Sequence, residues 1–348
     1  MLNKEPEALR QVEINAISVS FAGLSPLISQ LHRYINNKVN PKSKFNLPEK
    51  NTCRSMAFTL GKAWDIYGKK DAIIIIIVEE QTYNICDQKA IEIELFCQRP
   101  EILVKRKKFS DIGKNSLDGN NILRVDDQEV AVVYYRTGYV PADYPDSNAW
   151  SVRLMLERSK AIKCPSIKYQ LSGVKKFQQI LTDKRILSKF IKPDEGLDEL
   201  YSTFVAIYLL KDSPEGNRCL EMALKNPDKF VLKPQREGGG NNYYGQEIVH
   251  KLNEIRDSRE RDAYILMELI DAVPVLNYGV DSRSNIRSRN FAADTIISEL
   301  GIFGSILADD KHVYHNDEDG YLLRSKRTKD NEAGIAAGAG FLDSPYLF

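Results

Sequence analysis

No stretch of this sequence stays apolar for long. The longest run, AIIIIIV at 72–78, is far too short to cross a bilayer, and its β-branched content reads as a strand buried on both faces. The opening residues, MLNKEPEALRQVE, are polar and lack the apolar core of a secretory signal. Cysteine is scarce: Cys53, Cys86, Cys97, Cys164 and Cys219 are odd in number, scattered and free of any CxxC pair. That excludes a disulfide frame and a zinc ribbon, and reads as the small, buried, reduced thiols of an intracellular, cytoplasmic protein. An excess of one charge is absent too. Lys plus Arg at 49 against Asp plus Glu at 48 leaves +1, so no global field draws the chain to nucleic acid or to an anionic membrane. No repeat or low-complexity tract interrupts it, and at 348 residues with 43 % hydrophobic content it can bury a proper core.

What is present alternates between two periods. Over 52–136 helical faces (Met56, Leu60, Ala63, Trp64, Tyr67) alternate with short strands at 72–78, 102–104 and 130–135, and Asp87 opens a second helix running to Cys97. That pattern predicts an α/β layer with a mostly parallel sheet. After a polar, Pro-containing linker at 141–147 the chain is expected to turn helical, at 149–159, 175–182, 197–210 and from Ser213 with Pro214 at its first position. Beyond residue 226 strands return, at 230–233, 264–270, 296–303 and 312–323, with one helix at 246–255 and gaps short enough for antiparallel pairing. Residues 236–244 and 328–340 read as loops.

The chemistry concentrates in FVLKPQREGGGNNYYG at 230–245. Three glycines in a row cost folding entropy and pack nothing unless backbone must approach something closely. With Lys233 and Arg236 supplying charge and Glu237 and Asn242 offering oxygen ligands to Mg²⁺, the segment reads as a clasp for nucleotide phosphates. A Gly-Lys-Ser/Thr ending is missing, so this is no Walker A loop, and no strand is followed by GxGxxG, which disfavours a nicotinamide oxidoreductase.

KPQREGGGNN followed by a Tyr and a Gly resembles the signature of eukaryotic-type glutathione synthetases. The resemblance extends in order through RQVEINAISVSF, NICDQKAIEIEL, VVYYRTGYVP, LERSKAIKCPSI, GVKKFQQ, YILMELI, ISELGIFG, LLRSK, GIAAG and LDSPY. It implies an α/β ATP-grasp fold and divides the chain into a substrate-binding α/β region at 1–145, in which 10–20 join the ATP-grasp core, a helical segment at 146–227, and an antiparallel ATP-binding lobe with a glycine-rich lid at 228–348. Relatives of this type carry roughly a further quarter upstream.

By the same resemblance, Mg²⁺ would be held by Glu13, Asn15 and Glu237. ATP would meet Glu13, Lys175, Lys233, Glu237, Gly238, Gly239, Gly240, Asn241, Asn242, Tyr244, Met267, Glu268, Ile270, Glu299, Lys326 and Glu332. The γ-glutamyl-cysteine and glycine substrates would meet Ser18, Ser20, Asn84, Gln88, Arg136, Tyr139, Arg324, Ile335 and Ala336, with Arg136, Arg324 and Lys326 acting in catalysis. The implied activity is ATP-dependent glutathione synthesis through an acyl phosphate, and the implied assembly a homodimer. No side-chain nucleophile is needed, and the four histidines, outside all these motifs, read as surface or packing residues.

Plainer roles stand beside these. Alternation over 12–17 puts Glu13 and Asn15 on one strand face, where both could simply face water. Lys175 and Lys176 would ordinarily be a solvated pair, Arg324 and Lys326 an edge guard, and Met267 a core residue. Three positions depart from the pattern: Thr82 stands where an acid can meet the γ-glutamyl end, Thr137 where an Asp can occur, and Ala333 in place of a glycine. The alternatives are therefore the same mechanism with another donor or acceptor, or a non-catalytic effector on this scaffold.

Overall fold

A computed structural model describes the whole chain except residues 6, 43–45, 114–116, 281–292, 332–333, 336–339 and 347–348. The chain folds into two compact units. One comprises 16–170, 300–323 and 342–348; the other comprises 1–15, 171–299 and 324–341.

In the first unit α1 (Ser25–Val39) and α2 (Thr52–Tyr67) precede β1 (Ile73–Ile77); α3 (Ile85–Gln98), β2 (Val104–Lys107), β3 (Gln128–Tyr135), α4 (Ser147–Arg158) and β4 (Ile162–Cys164) follow. Five consecutive isoleucines offer no polar face, so β1 must be covered on both sides, and every one of its residues is buried. It lies parallel between β2 and β3, and β4 pairs parallel with β3. Strand alternation sorts the side chains: Ile73, Ile75 and Ile77 pack with Val152 and Leu156 of α4, while Ile74 and Ile76 pack with Leu60 and Trp64 of α2 and Leu95 of α3. Helix α2 starts where the Asn51 side chain accepts from the Arg54 N–H and stops at Gly68, left-handed at φ 79°. The expected parallel layer is therefore present.

The second unit contains α5 (Lys175–Leu181), α6 (Leu197–Thr203), β5 (Ile207–Leu209), α7 (Pro214–Lys225), β6 (Phe230–Pro234), β7 (Tyr243–Tyr244), α8 (Gln246–Ile255) and β8 (Tyr264–Glu268). Its sheet runs β7-β6-β8-β5, antiparallel throughout. Leu220 and Ala223 of α7 and Ile248, Leu252 and Ile255 of α8 cover one face, against Phe230, Leu232 and Leu266. Val231, Ile265 and Met267 form a smaller core on the other. Ser213 caps α7 ahead of Pro214, as the sequence predicts. A further sheet runs in the order β9 (Val275–Asn277), β10 (Asp294–Ala308), β11 (Val313–Arg327), β12 (Gly340–Asp343).

Three local expectations fail. Residues 12–17 form no strand, because their backbone is held by side chains and not by a neighbouring ladder. The helix expected over 197–210 ends at Thr203, and residues 207–209 become β5 by pairing with β8. Helix α3 begins two residues before Asp87, whose carboxylate instead accepts the backbone N–H groups of Phe21, Gly23 and Leu24 at 2.8, 2.8 and 3.2 Å. Cys53 is buried as expected, whereas Cys86 and Cys97 are exposed on α3. Among the described residues no helix is long and apolar enough to cross a membrane.

Candidate functional site

The second unit gathers the residues expected to meet phosphate and metal. Strand β6 delivers Lys233, buried, whose Nζ donates to the carbonyl of Val12 at 3.2 Å. From α5, Gln178 Nε2 donates to the carbonyl of Ile14 at 3.3 Å. These bonds fix the carbonyls on either side of Glu13, so Glu13 is positioned without a strand. Asn15 Nδ2 donates to Glu13 Oε1 at 3.1 Å, bringing the two together as the spacing suggested.

Lys175 is the first residue of α5 and is buried, not solvated. Its Nζ donates to the carbonyl of Arg236 at 2.7 Å and lies 3.7 Å from Glu237 Oε1. The chain then passes through Gly238, Gly239 and Gly240 at φ 81°, 25° and 77°. Three successive left-handed residues are a backbone only glycine adopts cheaply, which accounts for the triplet. Asn241 Nδ2 donates to the carbonyls of Gly238 and Gly239 at 3.3 and 3.1 Å, curling the loop upon itself.

The two carboxylates of this cluster differ in character. Burial disfavours the charge on Glu13, but Lys233, Asn15, Lys175 and Arg324 outweigh it and hold its carboxyl below the usual range. For Glu237 burial wins, helped by Glu13 and opposed by Lys175, and its carboxyl is pushed up. An ionised Glu13 that raises the proton affinity of Glu237 suits a site completed by a cation. Among the described residues no three His, Cys, Asp or Glu side chains come together as a metal cage. Two carboxylates and an amide oxygen fit an ion that keeps much of its shell from water and phosphate, as Mg²⁺ does.

Elsewhere in this unit, Met267 is buried against Val231 and Ile265 with Ile270 beside them, the packing role weighed for it. Glu268 accepts from Tyr208 Oη at 2.9 Å, and the Tyr244 N–H donates to Glu247. Asn242 is half-buried in the loop. On the long strands Arg324 Nη2 meets Glu299 Oε2 at 3.0 Å, and Lys326, buried, donates to the carbonyl of Asn331 at 2.5 Å. Ile335 is half-buried in a turn, and Glu332, Ala333 and Ala336 lie outside the described residues.

The first unit gathers the expected donor contacts. Arg136 leaves the end of β3, where its N–H donates to the carbonyl of Ile77, and is buried. Its guanidinium donates to the carbonyl of Val19, to Ser20 Oγ at 3.0 Å and to Tyr134 Oη at 3.3 Å. Asn84 Nδ2 donates to Ser20 Oγ at 3.1 Å, Gln88 Nε2 to Asn84 Oδ1 at 2.8 Å, and Arg106 Nη2 to Gln88 Oε1 at 2.6 Å. Ser20, Asn84, Gln88 and Arg136 thus belong to one hydrogen-bonded chain. Ser18 Oγ donates to the carbonyl of Tyr135 at 3.3 Å, and Ser18 and Phe21 take positive φ, a strain sustained by the three N–H bonds to Asp87. Tyr139 is anchored through its N–H to Asp143. Sequence reasoning missed Gln178, Arg106 and Asp87 in these roles; the first lies in GVKKFQQ, but nothing local signals its partner.

An antiparallel sheet carrying a left-handed glycine loop beside buried lysines and paired acids, together with a parallel-sheet unit, defines an α/β protein of the ATP-grasp type. The family model described as "Eukaryotic glutathione synthase, ATP binding domain" matches residues 1–347. The chain is 42 % identical over 343 residues to the glutathione synthetase of Mus musculus, covering 98 % of this chain and 71 % of that protein. To the Homo sapiens glutathione synthetase it is 42 % identical over 342 residues, 97 % of this chain and 70 % of the other. The chloroplastic glutathione synthetase of Solanum lycopersicum is 37 % identical, over all of this chain and 63 % of its own length. Among solved structures, a glutathione synthetase-like effector from Globodera pallida in its apo form superposes with a TM-score of 0.77 at 23 % identity, over all of this chain and 74 % of that one. The chain belongs to the eukaryotic glutathione synthetase family.

Proposed function

We propose that this protein joins γ-glutamyl-cysteine to glycine at the expense of ATP, with Mg²⁺ as the metal. The observation that carries the reading is the cluster of buried Lys233 and Lys175, the acids Glu13 and Glu237, and the three left-handed glycines, all in one unit. In the reaction the γ-phosphoryl group passes to the cysteinyl carboxylate, releasing ADP; the amine of glycine attacks the acyl carbon, phosphate departs and the amine loses a proton. Mg²⁺, when bound, neutralises phosphate charge. The chain's own work is alignment: Lys233 and Lys175 bring fixed positive charge, loop N–H groups contact phosphate oxygens, and the low-lying Glu13 carboxyl stays ionised.

Arg324 receives the acceptor's carboxylate, exchanging part of its pairing with Glu299. On this reading the protein works in the reducing cytoplasm, which suits its free thiols, and its assembly is the homodimer implied by resemblance. A second reading keeps the mechanism and changes the donor, and the uncharged Thr82 and Thr137 favour it. A coupled ADP assay with mass spectrometry of the product tests both. Glycine with γ-glutamyl-cysteine should release ADP at least as fast as alanine, and methylamine should release almost none. Equal turnover with methylamine removes the role given to Arg324, and no turnover with any acceptor despite ATP binding removes the ligase reading.

A further inference from the structure

The ends of β1 and β3 carry an acid and a guanidinium that do not pair with one another. Arg136 is 2 % exposed, bonds only neutral oxygens, and has no carboxylate within ion-pair distance among the described residues; its Nε is buried without a partner. Such a guanidinium is costly unless an anion completes it. Nearby acids are mostly committed. Asp87 is taken by three backbone N–H groups, Asp143 by those of Gly138, Tyr139 and Val140, and Glu80 by Lys108.

The exception is Glu79, two residues beyond β1 and half-buried. It makes no ion pair among the described residues, and the hydrogen bond it receives is from Thr82 Oγ1 to Oε2 at 3.2 Å. Ile77 at the end of β1 lies opposite Tyr135 at the end of β3, and the Arg136 N–H donates to the Ile77 carbonyl, so Glu79 and Arg136 leave the same ends of two adjacent parallel strands. The charge of Glu79 is also felt by Arg136, Arg106 and Tyr139. An acid and a guanidinium that follow adjacent strand ends without pairing are complementary to a zwitterion, with an ammonium for one and a carboxylate for the other.

Resting on the reading of function above, we propose that Glu79, oriented by the Thr82 hydroxyl, receives the α-ammonium group of the donor's γ-glutamyl head and selects donors that carry it. Thr82 contributes no charge itself and acts as a positioning residue. Ser20, whose Oγ accepts from both Asn84 and Arg136, borders the same head group together with Asn84.

The test is calorimetric titration of the whole protein with two donors, γ-glutamyl-cysteine and glutaryl-cysteine, which differ only in the α-amino group. The wild-type protein should prefer the first by about tenfold or more, the weight of one charge-assisted hydrogen bond. Glu79→Gln, nearly isosteric, should weaken γ-glutamyl-cysteine by that factor and leave glutaryl-cysteine within about twofold. Thr82→Val should lose part of the preference, and Thr82→Glu placed in the Glu79→Gln background should restore some of it. Wild-type discrimination that survives in Glu79→Gln overturns this inference alone. A wild-type protein that binds neither donor overturns it together with the γ-glutamyl-cysteine reading. Melting temperatures matching the wild type show that the variants are folded.

Discussion

Single side chains in this protein are decided by whether their burial is compensated. Asp87 is 1 % exposed, yet its carboxylate accepts three backbone N–H groups and fixes the turn that carries Ser18 and Ser20. Asp87→Ala would orphan those donors, and a loss of about 3 kcal/mol or more in denaturant unfolding is expected, together with loss of donor binding. Asp319 is the opposite case: it is 2 % exposed and its Oδ2 has no partner. Burial raises its carboxyl above the usual range, assisted by Asp317 and Glu318 against Ser305 and His315. A raised folded-state value means that the folded chain holds this proton more tightly than the unfolded one. Its stabilising contribution is thus complete below the unfolded value and is lost as pH rises through the folded one. Asp319→Asn should therefore stabilise the protein at pH 7 by about 1 kcal/mol, and the gain should vanish below about pH 4. Denaturant melts of both proteins across pH check this, and a gain that persists in acid would contradict the assignment.

Elements were legible in the sequence where composition dictated them and illegible where a distant partner did. Five isoleucines admit little besides a doubly covered strand, and α8 occupies 246–255, as its apolar period predicts. By contrast, residues 207–209 have no local mark separating them from the helix before them; pairing with β8 decides the matter. Glu13 and Asn15 meet without the strand that alternation suggests, because Lys233 and Gln178 supply the backbone bonds from far along the chain. Glu79 escaped notice because it sits outside every recognisable motif. The glycine loop was the most legible element, and its φ values make it testable. A Cβ added at Gly240 would meet nothing within 4 Å, so the penalty of Gly240→Ala is backbone strain alone, about 1–2 kcal/mol at φ 77°. Because the loop lies outside the cores, that strain should be relieved by a change of loop conformation. Nucleotide binding should weaken about tenfold while the melting temperature stays unchanged. Gly119→Ala, also in open space but without a positive φ, is the control and should change neither. Unaltered nucleotide affinity in Gly240→Ala would remove the triplet's assigned purpose.

At the scale of the molecule, the chain enters each unit more than once, so neither is a contiguous piece of sequence. The residues proposed for phosphate and metal, Glu13, Asn15, Lys175, Lys233 and Glu237, belong to one unit, and those proposed for the donor, Ser18, Ser20, Asn84, Gln88 and Arg136, to the other. The division falls between Asn15 and Ala16, so RQVEINAIS, a single motif by eye, contributes residues to both units. Each set is organised internally: Lys233 and Gln178 position Glu13, whereas Arg136 and Asn84 position Ser20. Residue sets whose hydrogen bonds run within each set, as these do, should lose ligand affinity independently, within about 0.5 kcal/mol. Lys233→Met should therefore weaken a non-hydrolysable ATP analogue with Mg²⁺ by about tenfold or more and leave γ-glutamyl-cysteine binding nearly untouched, because only the nucleotide loses a charge partner. Arg136→Met should do the reverse, and the double variant should show the sum of the two losses. Titrating each ligand separately into the wild type and the three variants measures all the terms. A Lys233→Met protein that loses the donor as badly as the nucleotide, with its melting temperature preserved, would mean that the two residue sets are coupled and that the nucleotide cluster also builds the donor pocket.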